Sequence, residues 1–308
     1  MKSIKEYIHI LQNRGLCGSI RETKRAINPI WLTRDRDIVD IILRWRTYHR
    51  LKKKYYNEIT QSVPYLNNYA TPPRIIWICW LQGEENAPKI VKKCIDSVRK
   101  WAKDYEIRVL TQENIFSYCE IPDYILDKLN RGNINFTFFS DILRCCLLSE
   151  YGGIWIDATV FLSDELPEWI VNEPFFIYRN SWLDHKPTKT STWLIAACVN
   201  HPIIQIAKDC LFAYCKQKYV QEDYYIFHLF LALIVQYNEN CQKLFNRMLY
   251  MQNADAHTLQ FKLFDEFNEH QWQHILDRSS IHKLTYKFHD KQLLTKEGTF
   301  YDYILNHQ

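Results

Sequence analysis

The sequence predicts an α/β protein with a mostly parallel central sheet, because strand and helix patterns alternate along its middle part. Residues 74–80 read RIIWICW, a short β-branched and aromatic run that is typical of a buried strand. Lys89–Trp101 then repeats apolar residues with helical spacing, and Glu106–Leu110 has the pattern of a second strand. Strands that alternate with helices in this way pair in parallel through crossover helices.

The segment before this unit is predicted to be a basic helical extension, residues 1–70, followed by the main domain, residues 71–308. The extension has 14 Lys and Arg against six Asp and Glu, and its apolar residues keep a helical spacing. Its basic face could contact an anionic membrane surface or be an ordinary solvated helix face, and both interpretations stay open. Nucleic acid is not expected as a partner, because the positive charge does not continue into the rest of the chain.

After the second strand, the pattern predicts two more helices and a third strand. The helices cover residues 121–129 and 140–151, and the strand covers residues 154–156. The C-terminal third is predicted to be largely helical, with helices over residues 203–216 and 224–237. Each predicted strand up to the third is therefore separated from the next by helical sequence.

One stretch of this unit brings charged residues towards the end of a strand. Ser140 is a plausible N-cap, which puts Asp141 and Arg144 in the first turn of a helix, on one face. The adjacent glycines at 152 and 153 are expected to end that helix and turn the chain into the third strand. Asp157 follows the strand, at the edge where open α/β sheets bind ligands.

The chain has only seven glycines, and their spacing excludes the familiar phosphate-binding loops. No GxGxxG, GxxxxGK or GxSxG pattern occurs. A phosphate site must therefore use side chains, a metal ion or helix N-termini.

Cysteine usage and hydropathy indicate the cytoplasm. The ten cysteines include no CxxC pair and are expected to be reduced and structural. The N-terminus lacks the apolar core of a signal peptide, and the longest apolar stretch, residues 227–235, is too short to span a bilayer. A peripheral position on the inner face of the membrane is compatible with these observations.

Three separated segments resemble one family of sugar transferases. The run SDILR…YGGIWIDATVF, residues 140–161, resembles the donor-binding core of DXD-type glycosyltransferases with a GT-A fold, most closely the bacterial capsular polysaccharide synthesis family. Residues 74–88 resemble that family's first strand and nucleotide-facing loop, and residues 279–287 resemble its C-terminal motif. The resemblance is specific because the three motifs occur in the family's order.

The resemblance implies a retaining glycosyltransferase with a GT-A domain. Its donor would be a nucleotide sugar, expected to be a UDP-sugar, from which a hexose moves to a hydroxyl of a bacterial surface polysaccharide precursor. The acceptor partner would be an oligosaccharide or a lipid-linked glycan. The alternative is a catalytically degenerate protein that keeps the nucleotide-sugar pocket, and Thr159, at the third position of the motif, keeps that alternative open.

The resemblance also implies a divalent cation, Mn²⁺ or Mg²⁺, bound at the motif. It assigns Asp157 to the ribose and the metal, whereas Thr159 stands where the family has a metal-binding carboxylate. A hydroxyl is a poorer ligand for such a cation than a carboxylate. The missing charge could come from His282 as a further ligand, or from Lys283 and Lys287 bound directly to phosphate.

By the same resemblance, Asp141 and Arg144 bind hydroxyls of the transferred sugar. The pair suits this task because a carboxylate accepts hydrogen bonds from hydroxyls and a guanidinium donates them. Trp77, Trp80 and Gln82 are candidates for contact with the base, with core packing as the alternative for the tryptophans.

Two further candidates lie in the C-terminal half. Trp193 is expected to stack on a sugar ring, and Asp223 is placed on the acceptor side, with a helix cap as its alternative role. His228, on an apolar helix, is predicted to be a core histidine. The candidate catalytic residues are therefore Asp141, Arg144, Asp157 and Asp223.

Overall fold

The computed structural model describes residues 35–63, 70–181, 186–216, 221–288 and 290–307. The helices of this part of the chain are α1 (Arg36–Lys54), α2 (Tyr56–Ile59), α3 (Lys89–Trp101), α4 (Asp123–Asn130), α5 (Phe136–Glu150), α6 (Pro202–Lys216), α7 (Ile226–Tyr237), α8 (Glu239–Arg247), α9 (Ala254–Lys262), α10 (Glu269–Arg278) and α11 (Phe300–His307). The strands are β1 (Ile75–Cys79), β2 (Glu106–Leu110), β3 (Gly153–Ile156), β4 (Val160–Leu162), β5 (Phe175–Arg179), β6 (Thr190–Ala197) and β7 (Ile281–Lys283).

A five-stranded sheet in the order β2-β1-β3-β6-β5 forms the centre of the fold. Strand β1 pairs in parallel with β2 and β3, whereas β6 runs antiparallel to both of its neighbours, so four of the five strands point the same way. Strands β4 and β7 form a separate antiparallel pair. The predicted α/β fold with a mostly parallel sheet and flanking helices is confirmed.

The helix that carries Asp141 and Arg144 begins earlier than predicted. Its N-cap is Asn135, whose side chain accepts a hydrogen bond of 2.8 Å from the backbone N–H of Phe138. Ser140 lies inside the helix, where its hydroxyl donates to the carbonyl of Thr137. Asp141 therefore lies in the second turn, and the prediction of Ser140 as the cap is wrong because Asn135 caps a turn that buries more aromatic surface.

The two adjacent glycines end this helix as predicted. Gly152 has a φ of 66° and its N–H donates to the carbonyl of Leu148, and Gly153 has a φ of 95° and begins β3. Both values lie in the left-handed region that residues with a side chain rarely adopt. The chain can therefore reverse from helix to strand within two residues.

Two layers of apolar side chains cover the sheet, one on each face. Because strand residues alternate between faces, Trp77 and Trp155 pack into the layer formed with α5, α6 and α7, whereas Ile76 and Ile154 pack into the layer with α3. Helix α1 adds Tyr48 to the first of these layers.

Several predictions about the ends and the location of the chain are not tested by this structure. Helix α1 is described only from residue 36, and the helices predicted before residue 35 lie outside the described residues. The division into residues 1–70 and 71–308 stays a prediction.

Within the described ranges, no helix combines the length and apolar character needed to cross a bilayer. The nine cysteines of these ranges are free thiols.

Candidate active site

A cleft of about 470 Å³ opens where β1 and β3 end. Its walls come from the segments that follow these strands, from α5, from β6 and the first turn of α7, and from the segment after β7. The volume falls within the range of ligand pockets, and the position agrees with the binding edge of open α/β sheets.

Arg144 joins the two carboxylates of this cleft. Its guanidinium donates to Oδ1 of Asp141 and, at 3.0 Å, to Oδ1 of Asp157. The indole N–H of Trp155 also donates to Asp157 Oδ1, at 2.9 Å, and the guanidinium carbon lies 4.7 Å from the centre of the Trp155 ring. Arg144 and Asp141 are buried, whereas the Asp157 side chain is 31% exposed towards the cleft.

Burial sets the protonation behaviour of this cluster. It raises the pKa of Asp141, a shift that the guanidinium of Arg144 opposes and the nearby carboxylate of Asp157 adds to. An ion pair in this environment depends on both partners, because removing one leaves a buried charge without compensation. The hydrogen bonds of Arg144 therefore tie the two carboxylates to each other within the cleft.

Lys283 stands between the first and third positions of the D-A-T motif. The antiparallel pairing of β4 with β7 places it opposite Val160, next to Thr159. Its ammonium donates to the Thr159 hydroxyl and, at 3.3 Å, to the carbonyl of Leu284, and it lies 3.7 Å from Asp157 Oδ2. Burial lowers the pKa of Lys283, whereas the Asp157 carboxylate opposes that shift.

Residues 38–304 match the family model described as capsular polysaccharide synthesis protein. The chain belongs to this family. Because polysaccharide synthesis proceeds by sugar transfer, the protein is a glycosyltransferase. Among solved structures it is similar to one titled "PaToxG Glycosyltransferase", with 17% identity, a TM-score of 0.42, and coverage of 68% of this chain and 84% of that one. No curated protein sequence matches the chain.

Most of the predicted site residues of this glycosyltransferase line the cleft together. They are Trp80, Gln82, Asp141, Arg144, Asp157, Thr159, Trp193, Lys283 and Lys287. Trp193 stacks on Tyr178 with ring centres 4.7 Å apart, and its indole N–H, like that of Trp80, has no hydrogen-bond partner among the described residues. Their roles stay predictions, but the sheet and the β4–β7 pair bring them to one place.

The structure does not bring three predicted site residues to the lining of the cleft. Trp77 is fully buried and its indole N–H donates to the carbonyl of Gly152, so the core-packing alternative describes it. His282 lies on the opposite face of β7 from Lys283, because strand residues alternate, and its ring bonds to the hydroxyl of Ser163.

Asp223 is the third residue outside the lining. Its carboxylate accepts a hydrogen bond from the backbone N–H of Tyr225, which supports the turn before α7. The next two residues, Tyr224 and Tyr225, reach the cleft instead. The prediction of Asp223 as the cap of this helix is also wrong, because the N-cap of α7 is Tyr225 and it receives no side-chain cap hydrogen bond.

Sequence reasoning missed His228 as a residue of the cleft. It lines the cleft, and its Nε2 lies 3.2 Å from the hydroxyl of Thr192 on β6. Its Nδ1 is buried with no hydrogen-bond partner among the described residues, and burial lowers the pKa of the ring to about 3, so the imidazole is neutral. The signal in the sequence was a lone polar residue in the first turn of an apolar helix, which by itself indicates a core position.

Helix α1 contacts the segment that carries Tyr224 and Tyr225, the two tyrosines of the cleft lining. The Arg44 guanidinium carbon lies 4.1 Å from the centre of the Tyr225 ring, and Arg50 forms an ion pair with Glu222. The basic helix therefore contacts the wall of the cleft through residues 221–225, in addition to any role at a membrane.

Replacing Arg44 by alanine is expected to raise the KM of the transferase about 2- to 30-fold, because a cation–π contact contributes about 0.5–2 kcal/mol to holding Tyr225. Arg46→Ala, an exposed site on the same helix, is the matched control and should leave KM unchanged. Steady-state kinetics of both variants test the contact. Equal KM values in the two variants would show that α1 does not position the cleft.

Proposed function

We propose that this glycosyltransferase takes a hexose from a UDP-sugar and attaches it, with retention of the anomeric configuration, to a hydroxyl of a surface or capsular polysaccharide precursor. The observation that supports this most directly is the Asp141–Arg144–Asp157 cluster at the carboxyl edge of the sheet. Such a cluster offers both acceptors and donors to sugar hydroxyls in one buried place.

The base, the ribose and the transferred sugar of a nucleotide sugar each have a counterpart in the cleft. Trp80 and Gln82 follow β1 and are assigned to the base, and Asp157 to the ribose. Asp141 is assigned to the transferred sugar, together with the neutral ring of His228. This ring lines the cleft next to Thr192, whose hydroxyl lies 3.2 Å from its Nε2.

The state of the two carboxylates supports retention by front-face attack. Asp141 and Asp157 are the carboxylates among the described residues that line the cleft, and both are paired with Arg144. Each carboxylate already gives one oxygen to the Arg144 guanidinium, so neither stands free as a nucleophile towards the anomeric carbon. The acceptor oxygen would therefore bond to the anomeric carbon as the bond to the diphosphate breaks, and its proton would pass to the leaving phosphate oxygen.

Two further properties of the proposed enzyme stay predictions. They are the cytoplasmic location and the peripheral contact of the basic N-terminal segment with the inner face of the membrane. The last turn of α1 carries Lys52, Lys53 and Lys54, which suits an anionic surface.

A panel of nucleotide sugars with different bases tests the proposed function by thermal shift and by release of the nucleotide. At a ligand concentration 100 times its Kd, binding stabilises the fold by about 2.7 kcal/mol, so the UDP series is expected to raise Tm by about 5–10 °C. Slow hydrolysis of one UDP-sugar should accompany the shift.

The other outcomes of this panel separate the alternatives. Tight binding with no hydrolysis and no transfer to any glycan acceptor would favour the degenerate nucleotide-sugar-binding protein. A rise in Tm with nucleotide sugars of another base, and none with the UDP series, would mean that the donor carries that base instead of uracil. No response to any nucleotide sugar would contradict it.

A further inference from the structure

The residues of the D-A-T motif do not fit the divalent cation that the resemblance implies. At a nucleotide diphosphate, such a cation is held by one or two protein carboxylates together with phosphate oxygens and water. Asp157 Oδ1 already accepts hydrogen bonds from Arg144 and Trp155, and the neutral hydroxyl of Thr159 accepts one from Lys283.

No neighbouring residue supplies the missing ligands. His282 is fully buried and directed to Ser163, on the other side of β7. Asp141, the other carboxylate among the described residues of the lining, is buried and paired with Arg144. The motif therefore offers a cation only the Asp157 carboxylate, which already accepts from Arg144 and Trp155, and the Thr159 hydroxyl, which already accepts from Lys283.

An ammonium group lies between the two motif positions instead. Lys283 Nζ donates to Thr159 and to the carbonyl of Leu284, which uses two of its three N–H bonds. Asp157 Oδ2 lies 3.7 Å away, which is an ion-pair distance but longer than a hydrogen bond, so the third N–H can still donate to a ligand beside Asp157. The Lys283 side chain is 18% exposed, which is enough to meet a ligand in the cleft.

The charges of the cleft favour an anion over a second cation. Among the described lining residues, Asp141 and Asp157 balance Arg144 and Lys283, and the exposed Lys287 adds one positive charge. A diphosphate brings negative charge to this surface, whereas a divalent cation beside Lys283 would be repelled at low effective dielectric. Ammonium groups are common phosphate ligands in proteins.

We propose that Lys283 takes the place of the divalent cation: its ammonium binds the diphosphate of the donor and neutralises the charge that develops as the sugar leaves, so that transfer does not require a metal. Thr159 is then a positioning residue, because its hydroxyl holds the ammonium in place. This inference rests on the proposed function, since it assigns the diphosphate part of the same donor.

Binding of UDP and of uridine to the full chain, each measured with EDTA and with Mn²⁺, tests the inference without any variant. UDP is expected to bind with the same Kd in both conditions and more tightly than uridine. Binding of UDP that is lost in EDTA and restored by Mn²⁺ would overturn the inference while leaving the proposed function in place. Absence of UDP binding in both conditions would overturn the proposed function, and the inference with it.

The Lys283→Met variant tests the residue itself. It is expected to weaken UDP binding about 100-fold while uridine binding stays unchanged, because only the diphosphate loses its partner. Lys283→Arg should recover part of the loss, since it keeps the charge. The matched control is Lys208→Met, a half-buried lysine that donates to the Ser149 hydroxyl at 3.0 Å and does not line the cleft. UDP binding that Lys283→Met leaves unchanged would overturn the assignment.

Discussion

Replacing Asp157 by asparagine is expected to lower kcat/KM for sugar transfer at least about 100-fold, with the fold retained. The carboxylate accepts from Arg144 at 3.0 Å and from Trp155 at 2.9 Å, and it faces Lys283 at 3.7 Å. An amide keeps the shape of the side chain but removes the negative charge that orients both cations. Because Asp157 is 31% exposed, the expected loss of stability is about 1 kcal/mol.

The control for this variant is Asp127→Asn. Asp127 is 67% exposed on α4, where it lies 4.0 Å from Arg131 and outside the cleft, and an exposed pair of this kind contributes little. Asp127→Asn should keep full activity and the same Tm. Full activity of purified Asp157→Asn would contradict the site assignment. Asp141→Ala is a weaker test, because it leaves the buried Arg144 short of a partner at a cost of about 3–5 kcal/mol, so loss of folding would be confused with loss of chemistry.

Replacing Gly153 by alanine is expected to destabilise the fold by at least about 3 kcal/mol, which corresponds to a fall in Tm of about 6 °C or more. Its φ of 95° is strained for any residue with a side chain. A Cβ atom there would also lie 2.5 Å from the backbone carbonyl oxygen of Ile75, in the neighbouring strand β1. A backbone atom cannot move aside without breaking the pairing of the two strands.

Gly298→Ala separates the two causes of this destabilisation. Gly298 also has a positive φ, 68°, but a Cβ atom there would meet nothing within 4 Å. It should therefore cost only the backbone strain, about 1 kcal/mol. Thermal or denaturant unfolding of both variants measures the difference. Equal losses at the two positions would show that the contact between β1 and β3 tolerates a side chain.

Local patterns carried most of the fold prediction. The bounds of α3 and β2, Lys89–Trp101 and Glu106–Leu110, agree with the structure residue for residue. Both depend on the spacing of apolar residues within one element, which the sequence states directly. The turn at Gly152 and Gly153 could also be predicted from the sequence, because a sharp reversal between a helix and a strand requires backbone angles that few other residues adopt.

The start of α5 shows where local rules compete. Both Asn135 and Ser140 are residue types that cap helices. The helix begins after Asn135 because the extra turn buries Phe138 and Phe139 in the core. Burial of aromatic surface is a tertiary quantity, and it outweighed a local preference. Asp141 therefore lies in the second turn rather than the first, where it is a buried partner of Arg144.

By itself, the sequence determined the order of strands and helices, the turn at the glycine pair, and the presence of Asp157 at the carboxyl edge of the sheet. Only the tertiary structure decided which polar residues meet there. The pairing of β4 with β7 joins segments about 120 residues apart, and its register directs Lys283 to the motif and His282 to the core. The packing of α7 against β6 places His228 beside Thr192. The physical reason is that strand register and helix packing depend on surfaces distant in sequence, whereas periodicity reports only the face that one element buries.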